Sequence, residues 1–366
     1  MKRKQSSLES SSEELTAILI ATWRKILKLP IGPLDRLQTR EFRALVASIE
    51  KLKKEKDFSE ASAIGAYLLY DWQLHHAQGL SLLQELPSPP ARVLDLACGG
   101  APFALAALKH GAHEAVGLDT NPRLLKIATD VCGKSGYTLA LREHDCQNLE
   151  FPIQGKWDLI ILGYALFELS KEPLAYIENL MSQLSDEGYI LIVEPSLQQE
   201  NRRLLALRDK INARGIPIQA PCLWKGACPA FKHPTSTCFA QRTYDKPYLV
   251  KEIQRALKVN LNSLKMSYLI LRKTARPDLT RSLYRVVSPP INTFRGPRFF
   301  LCGNQGQKTL GSSLDKHPKH SRAYEYLNRG DIISIENAIE RENDLEVYTE
   351  TSVKLEAPCD KPAPSV

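Results

Sequence analysis

Between residues 91 and 195 the apolar pattern switches period repeatedly, and this alternation limits the possible folds more than any other feature. ARVLDLA, EAVGLD, TLALREHD, WDLIILG and GYILIVEP are short apolar runs of strand length. PFALAALKHGA and PRLLKIATDVCGKSG between them carry helical spacing, and WDLIILGYALFEL runs from a strand into a helix. A strand reaches a parallel neighbour only through a long crossover, which is usually a helix. The alternation therefore predicts an α/β protein with a Rossmann-like, parallel, doubly wound sheet.

The flanks read differently. Residues 12–87 are helical in pattern, with Ser11 or Ser12 as a cap, and PSPP at 87–90 breaks the last helix. After residue 196 come a basic helix, QQENRRLLALRDKINARG, and a Pro- and Cys-rich loop over 216–247. SYLILRK (267–273) and PRFFLCG (297–303) read as strands that either complete the sheet or begin an appended β unit. LNRGDIISIENAIE reads as a turn, a short strand and the start of a helix, and the tail after residue 350 as disordered. Four regions are expected: an N-terminal helical domain (1–88), a Rossmann-like cofactor domain (89–200), a basic Cys-rich region completing the sheet (201–335), and a C-terminal helix with a disordered tail (336–366).

Charge separates these regions. The chain carries a formal +8, yet residues 201–330 hold 25 Lys and Arg against 6 Asp and Glu, and residues 61–200 hold 8 against 17. A basic block with interleaved aromatics, as in RTYDKPY and NTFRGPRFF, suits phosphate contacts and base stacking; a merely solvated basic face is the alternative. The start, MKRKQSSLESSSEELT, has neither the apolar core of a secretory signal nor the acid-poor composition of a transit peptide, and no apolar run is long enough for a membrane helix. A cytoplasmic protein, monomeric when free, is expected.

The sharpest local motif is Val93-Leu94-Asp95-Leu96-Ala97-Cys98-Gly99-Gly100-Ala101-Pro102, a strand passing through small residues into a helix. Small residues let backbone approach a ligand. There is no full G-x-G-x-x-G and no P-loop lysine, which favours a ligand without phosphates over a dinucleotide. Asp119 ends the second strand, where a carboxylate can accept both hydroxyls of a ribose, and Asp145 ends the third, near an adenine edge. Gly163 and Tyr164 end the fourth. This spacing resembles the class I S-adenosylmethionine-dependent methyltransferases over residues 88–200, with Ala97 and Ala101 where glycines are often found. The resemblance implies that Ala97 and Gly99 approach the methionine part, Asp119 the ribose and Asp145 the adenine, with Asp95 also among the cofactor-binding residues and Gly163 beside the methyl donor. The Asn/Asp-Pro-Pro-aromatic motif of exocyclic-nitrogen methylation is replaced here by Gly163-Tyr164-Ala165-Leu166-Phe167-Glu168. Tyr164 and Glu168 are the catalytic candidates, each weighed against a packing or helix-capping role.

Cys222, Cys228 and Cys238 fall within one Pro-rich loop, and Cys302 follows much later. Such a loop has little core of its own, and a bound metal would order it. Thiolates suit zinc or an iron–sulfur cluster, and His233 is an alternative zinc ligand. Cys98 reads as a small residue of the cofactor turn, Cys132 as packed, Cys146 as packed or nucleophilic, and Cys359 as part of the tail. IVEPS, APC-x5-CP-x8-CFAQR, SYLILRK and LCGNQG together resemble the small-ribosomal-subunit methyltransferase-like family, known from mitochondrial ribosome assembly and including bacterial members. The resemblance implies a [4Fe-4S] cluster on Cys222, Cys228, Cys238 and Cys302, S-adenosylmethionine as cofactor, and the small ribosomal subunit with its rRNA as partner. Three activities fit: an rRNA methyltransferase, a non-catalytic rRNA-binding assembly factor, or a zinc-containing small-molecule methyltransferase.

Overall fold

The computed structural model describes residues 2–28, 39–52, 58–275 and 283–359. Residues 1–155 with 243–264 form one compact unit, and 156–242 with 265–366 form a second.

The first unit begins with helices α1 (Lys2–Ile26), α2 (Thr39–Leu52), α3 (Ala61–Ala66) and α4 (Trp72–Leu83), the last two joined by a π-helical turn, Tyr67–Asp71. The expected alternation follows as β1 (Arg92–Leu96), α5 (Pro102–His110), β2 (Glu114–Asp119), α6 (Pro122–Lys134) and β3 (Ala140–Glu143). β2 lies parallel to both β1 and β3, with Asp95 opposite Gly117 and Asp119 opposite Glu143. Pro122 opens α6, and the Asn121 side chain accepts the amides of Arg123 and Leu124 at 3.0 and 3.3 Å. This satisfies amide donors that a helix start leaves without partners.

The N-terminal helices share one core with the α/β elements. Leu19, Trp23, Ile49, Leu68 and Trp72 bury with Leu105 of α5, Ile127 and Val131 of α6, and Leu249, Val250 and Ile253 of the helix Tyr248–Ala256. Each such large apolar side chain contributes roughly 1.5–3 kcal/mol on full burial. The expected break near residue 88 thus parts two chain segments but not two cores.

In the second unit, β4 (Trp157–Gly163) runs parallel to β5 (Leu184–Glu194), with α7 (Leu166–Leu169) and α8 (Pro173–Gln183) between them in sequence. α9 (Gln198–Ala213), β6 (Ile218–Ala220) and β7 (Ala240–Thr243) follow, and β8 (Ser263–Arg272) pairs antiparallel with β5 and β6 and also pairs with β7. The sheet is therefore mixed, not wholly parallel.

A second sheet is built from β9 (Leu283–Val286), β10 (Ile291–Thr293), β11 (Gly296–Gly303), β12 (Gly306–Ser312), β13 (Ile332–Glu336), β14 (Ile339–Arg341), β15 (Asp344–Val347) and β16 (Ser352–Ala357). Its order is β14-β15-β12-β11-β9-β13-β16, with β10 on β11. Tyr284, Val286, Phe299, Leu301, Leu310, Tyr324, Ile333, Leu345, Val347 and Val353 give it a core of its own.

Three expectations need correction here. SYLILRK joins the first sheet as β8, but PRFFLCG is β11 of the second, so the region 201–335 does not simply complete one sheet. The C-terminal helix expected in 336–366 is instead β14, β15 and β16. Long-range pairing decides this: β16 is zipped to β13, and β15 lies parallel to β12, about 35 residues earlier in the chain. The tail is ordered at least to Cys359, whose amide donates to Asp331 at 2.7 Å; residues 360–366 lie outside the described residues. Among the described residues, no helix is long and apolar enough to cross a membrane.

Candidate functional site

In the first unit, β1 ends at Leu96 and the chain turns through Ala97–Ala101 into α5. Ala97, Gly99 and Ala101 all have left-handed backbone, with φ of 53°, 54° and 58°. Glycine adopts this conformation without cost, whereas alanine is strained there. At Gly99 a Cβ would also stand 3.1 Å from the Tyr67 hydroxyl.

The turn is held by charged and aromatic groups. Asp119 accepts the Gly99 amide on Oδ2 and the Asn121 amide on Oδ1, both at 2.8 Å. Asp95, 1 % exposed, accepts the Ala104 amide in the first turn of α5 at 3.0 Å. Burial pushes the Asp95 carboxyl up to about 8, an effect the Ala104 amide opposes and nearby Asp119 reinforces. The Gly100 amide donates to the Tyr67 hydroxyl at 3.1 Å, and Trp72 Nε1 donates to the Gly100 carbonyl at 2.7 Å. Tyr67 and Trp72 bracket the π turn, where Trp72 N–H bonds to the Tyr67 carbonyl. An i→i+5 turn brings residues five apart onto one face, where an α-helix would splay them. Both side chains went unnoticed in the sequence, since an α-helical reading of AYLLYDW separates them.

Ala97, Gly99, Asp119 and Asp95 thus come together around one turn. Asp145 lies beyond the end of β3, exposed, with its side chain accepting the Gln147 amide at 3.0 Å. Cys98, Cys132 and Cys146 are buried. Burial pushes the Cys146 thiol up to about 12, with Asp119, Asp95 and Asp145 adding to the effect, so it is not a thiolate at neutral pH. In the second unit, Gly163 ends β4, and Tyr164 follows in left-handed conformation with its amide donating to the Val193 carbonyl at 2.8 Å. Glu168 lies in the short helix α7 and is exposed.

In the second unit Cys222, Cys228, Cys238 and Cys302 line one pocket of about 320 Å³, together with Leu204, Arg208, Trp224, Tyr268 and Phe300. Cys222 and Cys228 come from the loop after β6, Cys238 from just before β7, and Cys302 from β11 of the second sheet. Burial pushes the Cys302 thiol up, and Cys222, Cys238 and Cys228 push it further, while Arg208 opposes them. Cys238 is pushed up to about 12 by burial and by Cys222 and Cys228, with Arg329 and Arg285 opposing. His233 lines the pocket but is exposed. Among the described residues, no three His, Cys, Asp or Glu side chains are arranged to hold a single metal ion.

Helix α9 organises this pocket. Asn201, fully buried, grips the Cys238 backbone, donating to its carbonyl at 2.6 Å and accepting its amide at 3.1 Å. Arg208, 1 % exposed, donates to the carbonyls of Trp224 and Gly226 and bonds to Cys222, and the Asp209 carboxylate accepts the Cys228 amide at 3.0 Å. Asn201 and Arg208 are seven residues apart, on one helical face with Leu204. Two polar residues within the apolar stripe of QQENRRLLALRD are the signal that would have revealed them.

Comparison with known proteins places the chain. It is 31% identical over 127 residues to the ribosomal protein L11 methyltransferase of Thermosipho africanus (strain TCF52B); the match spans 34% of this chain and 46%, about half, of the length of that relative. Among solved structures it is similar to the ribosomal protein L11 methylase of Lactobacillus delbrueckii subsp. bulgaricus (19% identity, 55% of this chain and 78% of that one, TM-score 0.35). It is also similar to the N-methyltransferase NodS of Bradyrhizobium japonicum WM9 in complex with S-adenosyl-l-homocysteine (13% identity, 62% and 97%, TM-score 0.38). The family model described as mitochondrial small ribosomal subunit Rsm22 matches residues 81–329, more than half of the chain, and the chain belongs to that family.

Proposed function

We propose that this protein acts on the small ribosomal subunit as an S-adenosylmethionine-binding, methyltransferase-like rRNA-binding protein with a four-cysteine [4Fe-4S] cluster. The carrying observation is the convergence of Cys222, Cys228, Cys238 and Cys302, from separate segments, on one pocket lined also by Arg208. A polynuclear cluster spreads its thiolates farther apart than one tetrahedral zinc does, so four thiols in a roomy pocket fit a cluster without closing on a single ion. The guanidinium groups of Arg208, Arg285 and Arg329 suit the negative charge that a thiolate-ligated cluster carries. When bound, the cluster would cross-link the loop of 222–238 to β11.

For the cofactor, the small-residue turn with Asp119 beside it fits a nucleoside with a diol, and Asp145 the adenine. In this reading residues 89–200 bind the cofactor, while 201–335 hold the cluster and face RNA with their excess of Lys and Arg. The protein works in the cytoplasm as a monomer until it meets the subunit. A second reading, a non-catalytic assembly factor, is favoured by Gly163-Tyr164-Ala165-Leu166 standing where base-directed enzymes carry a catalytic motif.

Anaerobic purification with iron and sulfide analysis tests the cluster: about four of each per chain, with loss in Cys302→Ser, is expected. One zinc and no sulfide would overturn it. Labelled methyl transfer to immature small subunits separates the enzyme from the assembly factor.

A further inference from the structure

We propose that the β10–β11 hairpin is a nucleobase-stacking finger, in which Phe294 stacks on an unpaired RNA base and Arg295 contacts the adjacent phosphate. The proposal rests on the reading of RNA as partner and names the element that makes the contact.

Phe294 is 94 % exposed, the most exposed of the large apolar side chains in the described residues. It forms the tip of a hairpin with a two-residue turn, Phe294-Arg295, in which Ile291 pairs with Arg298 and Thr293 with Gly296. The turn is built, not slack. The Thr293 hydroxyl donates to the Gly296 carbonyl at 2.7 Å and accepts the Arg295 amide at 3.3 Å. Gly296 has a φ of 101°, and a Cβ there would stand 2.7 Å from the Ser312 carbonyl oxygen, so only glycine closes this turn against β12. The root is anchored in the core of the second sheet: Tyr324 donates to the Pro297 carbonyl and packs edge-on against Phe299, which is 3 % exposed.

A rigid support therefore presents an aromatic ring that contributes nothing to the core. The Arg295 guanidinium lies 5.2 Å from the Phe294 ring centroid. Arg298, three residues on, is paired with Glu346 at 3.2 Å, whereas Arg295 has no carboxylate partner among the described residues. Asn292 and Thr293 beside them are also exposed. The 3₁₀ turn that supplies Tyr324 carries Arg322 and Tyr326 as well, and Tyr326 is 69 % exposed. An exposed ring beside an arginine that has no carboxylate partner among the described residues matches the chemistry of single-stranded nucleic acid, which offers a π-face and a phosphate at every step. An apolar protein partner would not call for the unpaired cation.

The test uses the full chain and a fluorescein-labelled, unstructured RNA of about 12 nucleotides, titrated by anisotropy across a salt series. Phe294→Ala is expected to weaken binding about fivefold or more and to leave the slope of log affinity against log salt unchanged. Arg295→Ala is expected to lower that slope by about one. Phe294→Trp should keep the affinity and show quenched indole emission on binding. Since the side chain is outside the core, all variants should melt as wild type. If the wild type binds RNA but both alanine variants bind it equally well, the finger is wrong and the RNA reading stands. A wild type with no salt-sensitive RNA affinity removes both. A Phe294→Trp variant whose emission does not change on binding also overturns the stacking, as does a Phe294→Ala defect confined to binding a protein.

Discussion

Asp119 holds the turn and, in the proposed reading, also meets the ligand. Its two oxygens each hold a backbone amide, of Gly99 and Asn121, and each has a further lone pair for a ribose hydroxyl. Asp119→Ala should weaken S-adenosylhomocysteine binding by about 1–3 kcal/mol, and Asp119→Asn by less. Calorimetry with unchanged affinity in the alanine variant would take Asp119 out of the site. His76 gives a second residue-level prediction. It is 5 % exposed, stacked on Trp72 at 5.3 Å, and burial holds its pKa down at about 3, with Lys109 assisting. The unfolded chain takes up a proton near pH 6.5 that the folded chain refuses, so stability is lost as pH falls below about 6.5, by about 1.4 kcal/mol per pH unit until near 3. His76→Phe keeps a ring on Trp72 and should flatten that segment of the stability curve. Parallel curves for variant and wild type from pH 7 to 4, by denaturant titration, would contradict a neutral buried imidazole.

At the level of elements, α9 is the part on which the pocket depends. Arg208 ties down the 222–228 loop by donating to the Trp224 and Gly226 carbonyls from one guanidinium. Arg208→Met removes that fork and leaves the Trp224 and Gly226 carbonyls unpartnered, a change that costs about 1–3 kcal/mol for each buried acceptor left unsatisfied. Arg208→Lys should rescue little, because an ammonium cannot fork. The expected outcome is faster proteolytic cutting between Cys222 and Cys228, with the circular dichroism of both sheets kept. A loop as resistant as wild type in the methionine variant would show that the guanidinium is not what orders it. The π turn, Tyr67–Asp71, is the other decisive element, since it alone aims Tyr67 and Trp72 at Gly100.

For the whole molecule, the chain itself determined whatever depends on neighbours in sequence. The strand–turn–helix run from Val93 to Pro102, the end of β2 at Asp119, helix α9, and the clustering of three cysteines in a Pro-rich loop were all readable, because period, small residues and spacing act over a few residues. Tertiary structure decided the rest. It placed Cys302 in the same pocket as Cys222, from a different sheet, and it turned 336–357 into strands. It also merged the N-terminal helices into the core of α5 and α6. Each of these outcomes depends on pairing or burial between residues tens of positions apart, whose energy exceeds any local propensity and leaves no mark in the local pattern.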